Sequence, residues 1–275
     1  MNCKRLVKRG IASLVDTFVS QPCLPGNRDP ATRILLYHSL QCRSSADPLG
    51  LQVVPGEFER HMGFLRDNGY TVIRLSELVD GMSGKEKIGH KTVAITFDDG
   101  FLDTLNVACP VLEKFGYPAT VFISSGIMRG NVRGADYWDS WEYMTRSDVK
   151  RMSEHSLFDI GSHGVSHVRL SSVSGERQSC EIRDSRAILE EVIGKKVGYF
   201  SYPHGCFDAR VKKAVEDAGY NGACSSFIGM NRVSGDVFAL KRTEISGFDT
   251  VADVAMKLRG AYDWLYGFQK LTGYR

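Results

Sequence analysis

Three stretches of this chain use the same junction: "DNGYTV" (67–72), "KFGYPATV" (114–121) and "DAGYNGA" (217–223). Each closes a run with helical spacing, passes through Gly-Tyr and enters a strand-like run. The glycine suits the left-handed position just past a helix end, and the tyrosine opens the strand. A chain that returns from helix to strand in this way is building βα units, with a parallel sheet inside and helices outside. Other runs agree. "RILLY" (33–37), "YTVI" (70–73), "TVAITF" (92–97), "ATVFI" (119–123), "FDIG" (158–161), "VGYFSY" (197–202) and "YNGACS" (220–225) read as strands. Helices are expected over 57–68, with Phe58, Met62 and Leu65 on one face, and over 104–115, 175–193 and 208–218. About seven parallel strands in one domain fit a barrel or a wound sheet. In either, chemistry gathers at the carboxyl ends of the strands.

Length and charge set the outer bounds. The 275 residues suffice for one large α/β domain, and a formal charge of +3 without basic-aromatic interleaving argues against a nucleic-acid partner. Seven cysteines, an odd number without a C-x-x-C pair, read as reduced thiols in a cytosol-like compartment. Residues 1–24 are assigned to a basic amphipathic helix, 25–32 to a linker and 33–275 to the main domain. In the first segment Val7, Ile11, Leu14, Val15 and Phe18 fall on one helical face, behind Lys4, Arg5, Lys8 and Arg9. Three readings stay open: a helix docked on its own domain, a peripheral contact with an anionic membrane face, or a signal or anchor.

The titratable residues collect at predicted strand ends. His38 follows the first strand, Asp98 and Asp99 follow "TVAITF", His163 and His167 follow "FDIG", and "SYPHG" (201–205) closes a later strand. Side chains alternate along a strand, so adjacent carboxylates normally diverge. At a strand end the turn releases that alternation, and Gly100 permits a sharp one. Two carboxylates that converge need a cation nearby. One Asp with two His makes a three-ligand shell for a catalytic zinc or similar divalent ion, leaving the other Asp to take a proton from water. Taken singly, "DDG" can be an ordinary turn and H-x-x-x-H is a weak signal. "FDDGFLDT" also has a phosphoryl-transfer flavour, although Gly100 stands where the second Asp of a D-x-D would be.

In combination, "TFDDG", "SHGVSH" and "SYPHG", in that order, resemble the first three motifs of the polysaccharide deacetylases, carbohydrate esterase family four. The resemblance spans roughly residues 33–245. It implies a distorted (β/α) barrel with fewer strands than the eight-stranded type, and metal-dependent removal of acetyl groups from sugars. By position, Asp98 would be the general base and Asp99, His163 and His167 the metal ligands. Tyr202, Pro203 and His204 would shape one groove wall, with the His204 amide facing the oxyanion. Many members supply an acid histidine near the C-terminus, but this chain has none after His204. "ILLYHSL" (34–40) resembles the start of the circularly permuted, exopolysaccharide-deacetylase-like subgroup, which makes His38 the acid.

There are departures from the family pattern. Ser201 stands where many members have an arginine, and Arg242 in "LKRTEI" is the candidate to supply that charge. The insert "NVRGADYWDSWEYMT" (131–145) carries Trp138 and Trp141, which could stack on sugar rings or simply pack the loop. The expectation is an N-deacetylase acting on an N-acetylated oligo- or polysaccharide. In the cytoplasm, or at the inner membrane face, the substrate would be a lipid-linked precursor. The alternative is a catalytically inactive binding or scaffolding relative on the same barrel.

Overall fold

The computed structural model describes residues 3–19, 31–41, 47, 49–128 and 141–265. The elements run α1 (Cys3–Val19), β1 (Ala31–Tyr37), α2 (Pro55–Asp67), β2 (Thr71–Ile73), α3 (Leu75–Met82), β3 (Thr92–Phe97), α4 (Cys109–Phe115) and β4 (Ala119–Ile123). They continue with α5 (Arg146–Glu154), β5 (Phe158–Ser162), α6 (Gly175–Ile193), β6 (Tyr199–Ser201), α7 (Ala209–Asp217), β7 (Gly222–Cys224), β8 (Asn231–Arg232), β9 (Thr243–Glu244) and α8 (Val251–Arg259). The three Gly-Tyr junctions behave as their chemistry requires: Gly69, Gly116 and Gly219 have φ of 67°, 67° and 81°. The stretch expected as one helix over 104–115 begins instead with a wider π turn over Thr104–Ala108 before α4.

The sheet order is β7-β6-β5-β4-β3-β1-β8, with β2 on the first half of β3 and β9 on β1. The pairings are parallel except β1 with β8. The sheet curls into a half-barrel of mostly parallel strands with helices around it. One short segment touches both sides of the sheet: Leu240 bridges to Cys224, the last residue of β7, and three residues later β9 pairs with β1.

Alternation sorts the side chains. Leu35, Tyr37, Val93, Ile95, Phe97, Val121 and Ile123 pack outward against the helices in the main core. Ile34, Ala94 and Phe122 face inward and pack with Cys224 and Leu240. Continuing that inward series toward the carboxyl ends brings Thr96 and Asp98 on β3 and its following turn, and His38 after β1. The apolar face expected on α1 is not its docked face. Among the described side chains of α1 Ala12 is the buried one, Arg9 pairs with Asp253 at 3.0 Å and Arg259 grips Asp16 at 2.7 and 2.6 Å. Ile11 and Leu14 are exposed. No described helix is long and apolar enough to cross a membrane.

Candidate active site

The register of β1 on β3 pairs Tyr37 with Phe97, and the Asp98 amide donates to the Tyr37 carbonyl at 3.1 Å. His38 and Asp98 therefore leave neighbouring strands side by side on the inward face. Asp99 should point the other way. It does not, because the backbone turns left-handed at Asp99 (φ 72°) and Gly100 (φ 80°). A Cβ on Gly100 would come within 3.0 Å of Ile123, so glycine meets both the turn and the contact. Adjacent carboxylates thus reach one site.

Asp98 is 3% exposed and held from behind. The Arg242 guanidinium donates to Oδ1 through Nη1 and to Oδ2 through Nη2, each at 2.7 Å. Its Nε donates to the Ser225 carbonyl at 2.7 Å. The Ser201 hydroxyl donates to Asp98 Oδ2 at 3.1 Å and accepts from Arg242 Nη2 at 2.9 Å. Burial alone would raise the Asp98 pKa. The Arg242 charge, with smaller help from His163 and His38, outweighs it and holds the carboxyl below its usual value. Arg242 is fully buried and its guanidinium lies against Asp98, not in a groove.

Asp99, His163 and His167 form the second half of the site. Nε2 of His163 lies 3.5 Å and Nε2 of His167 3.4 Å from Asp99 Oδ1, and the three ligand atoms lie within 4.8 Å of one another. Two ligands at tetrahedral zinc distances are separated by about 3.3 Å, so these spacings suit one ion. His163 Nδ1 lies 2.7 Å from the Ser201 carbonyl, which can only accept. The Nδ1 proton is thereby fixed and the Nε2 lone pair turned to the site. Burial would raise the Asp99 pKa. The neighbouring His163, His167 and His38 outweigh it and keep it well below the carboxylate range. This donor set fits a divalent metal, of which the particular ion is not determined by the geometry.

Other residues, not singled out from the sequence, support these two groups. Glu181 on α6 is buried and accepts from the amides of Val165 and Ser166, each at 2.9 Å, and from the Ser166 hydroxyl. It pins the loop between the two histidines, where His167 takes φ 54°. The available signal was a carboxylate on the α6 face that also buries Gln178, Ile182, Ser185 and Leu189. Asp103 accepts from the Ser39 hydroxyl at 2.6 Å and so ties down the residue after His38.

The expected groove wall is mixed. His204 sits in a left-handed turn (φ 59°), its ring centroid 4.8 Å from that of His167. Pro203 is buried in the same turn. The Tyr202 side chain faces away: it is fully buried, donates to the Phe238 carbonyl at 2.9 Å and stacks on Phe207. Trp141 is 4% exposed and packs edge-on against Phe101, which leaves no open face for a sugar. Trp138 lies outside the described residues. Asp98, Asp99, His163 and His167 stand together at the strand ends, and an inactive relative is not favoured.

The sequence profile of the polysaccharide deacetylases matches residues 85–223. The Bacillus subtilis (strain 168) protein YxkH, whose name places it among polysaccharide deacetylases, is 32% identical over 213 residues, 78% of this chain and 71% of its own. The Escherichia coli (strain K12) poly-beta-1,6-N-acetyl-D-glucosamine N-deacetylase is 23% identical over 132 residues, 46% of this chain but 20% of that enzyme. The Streptococcus pyogenes deacetylase PplD, solved in complex with acetate, superposes with a TM-score of 0.74 at 23% identity, covering 84% of this chain and 99% of that one. That last likeness concerns the fold; the profile and the Bacillus subtilis relative carry the family assignment. The chain belongs to the polysaccharide deacetylase family and is a hydrolase of that type.

Proposed function

We propose that this hydrolase removes N-acetyl groups from an N-acetylated amino-sugar glycan, an exopolysaccharide or its lipid-linked precursor, with zinc as the metal. The observation that carries the reading is a buried Asp98 gripped by Arg242 beside the Asp99–His163–His167 cluster. The likeness to an N-acetylglucosamine polymer deacetylase supports the choice of substrate.

Asp99, His163 and His167 would hold the ion. Bound there, it would polarise the acetamide carbonyl and make water acidic enough to lose a proton near neutral pH. Asp98, kept ionised by Arg242, takes that proton as the water oxygen adds to the carbonyl carbon. The His204 amide faces the oxygen on which charge develops. His38, beside Asp98 at the adjoining strand end, gives a proton to the departing nitrogen. The C–N bond breaks, leaving acetate and a free amine.

The test is elemental analysis combined with acetate release from N-acetylglucosamine oligomers. About one zinc per chain is expected, lost in His163→Ala with His167→Ala. Asp98→Asn should keep the metal and lose turnover by a factor of roughly 10² or more. Wild type without metal after reconstitution, or Asp98→Asn with intact turnover, would sink the mechanism.

A further inference from the structure

The two faces of α1 are used in a way that calls for a partner. At about 100° per residue, Arg9, Ala12 and Asp16 cluster on one side, and these are the residues that meet α8. Ile11 and Leu14 fall on roughly the opposite side, 39% and 67% exposed. The helix is therefore anchored by ion pairs and one alanine, while its apolar stripe is turned outward.

Its direction is fixed as well. Arg9 meets Asp253 and Asp16 meets Arg259, so α1 runs parallel to α8. The loop before α8 adjoins the loop after β1, since the Gly247 amide donates to the Gly50 carbonyl. The far end of α8 receives Arg33, near the start of β1, on its Leu258 carbonyl. The α8 helix thus leads away from the active-site end, and the first turn of α1 lies toward that end. That turn is basic: Lys4, Arg5, Lys8 and Arg9 precede the first acidic residue, Asp16. Arg9 and Asp16 are engaged with α8, whereas Lys8 is exposed.

We infer that the outward face of α1 docks on an anionic lipid surface, with its basic first turns at the active-site end of the barrel. An apolar stripe beside an exposed lysine, with the carboxylates of Asp16 and Asp253 engaged by Arg259 and Arg9 on the docked side, complements anionic headgroups over acyl chains. A second copy packed parallel on this helix would bring like charge against like at those turns, and an antiparallel copy is read out by the oligomeric state below. This inference stands independently of the deacetylation mechanism.

The test is co-sedimentation of the full chain with vesicles of phosphatidylcholine alone, and with about one-third phosphatidylglycerol. Wild type should pellet with the anionic vesicles, less so at high salt. Ile11→Glu with Leu14→Glu should lower partitioning roughly ten-fold or more. Because both side chains are exposed, the thermal midpoint should be retained, and Lys8→Glu alone should weaken binding without touching the stripe. Wild type that stays in the supernatant, or a double variant that pellets like wild type, overturns the inference. So does a wild-type dimer that the double variant dissociates while neither protein binds vesicles.

Discussion

At Asp98 the problem is a carboxylate that must stay charged with almost no water around it. Ser201, at the position where many relatives have arginine, cannot supply a cation. Arg242 does so from the segment that touches both sides of the sheet, and the Ser201 hydroxyl bridges the pair. Both ions are buried, so removing one strands the other. Arg242→Gln should lower stability by about 3–5 kcal/mol, read by chemical denaturation. It should also change the pH profile. With the guanidinium gone, burial acts on Asp98 against only the smaller pull of His163 and His38 and its pKa rises, so the acid limb of kcat/KM moves to higher pH. An acid limb that stays in place would show that Arg242 does not set the charge state of the base.

At the scale of elements, what could be read from the sequence follows from how local the cause is. The strands that carry the site show as apolar runs, and their ends are marked by His, Asp and Gly, so His38, Asp98, Asp99, His163 and His167 were legible. The strands β8 and β9 have two residues each, too few for any period, and Arg242 could be chosen only by supposing a missing charge. The helices α3, α5 and α8 went unread, being short and lacking the Gly-Tyr exit. The aromatics Tyr202 and Trp141 were visible, but the face each turns to is decided by tertiary packing. Helical spacing could place Glu181 on the buried face of α6 but could not show its partners, which are backbone amides of a loop folded elsewhere. That loop gives a prediction. Glu181→Gln puts an amide donor against the Val165 and Ser166 donors, loosening the loop that sets His167. Metal affinity, measured by calorimetry on folded protein, should fall about ten-fold or more. Ser166→Ala, which removes one bond from the same carboxylate, should fall in the same direction but less. Wild-type affinity in both variants would mean that Glu181 holds the fold and not the ligands.

For the whole molecule, stability should depend on pH through a group far from the chemistry. His61 on α2 is fully buried, with Nδ1 3.3 Å from the Tyr37 hydroxyl on β1. Burial pushes its pKa down to about 4, against a smaller opposing pull from Asp249. An unfolded histidine titrates near 6.5, so between about pH 6.5 and pH 4 the unfolded chain binds a proton that the folded chain refuses. Folding is therefore favoured above that window and weakened as pH falls through it. Asp98 does not blur the result, since its folded pKa is lowered and its contribution fails only at more acidic pH. Going from about pH 7 to pH 5, wild type should lose about 2 kcal/mol from this one group. In His61→Gln, an acceptor for the Tyr37 hydroxyl is retained but the titration is gone, so that part of the slope should vanish whatever the variant's absolute stability. Urea unfolding of both proteins in chelator measures it, the metal site being the same in each. Parallel pH dependences would place the acid sensitivity of this fold elsewhere than in the contact between α2 and β1.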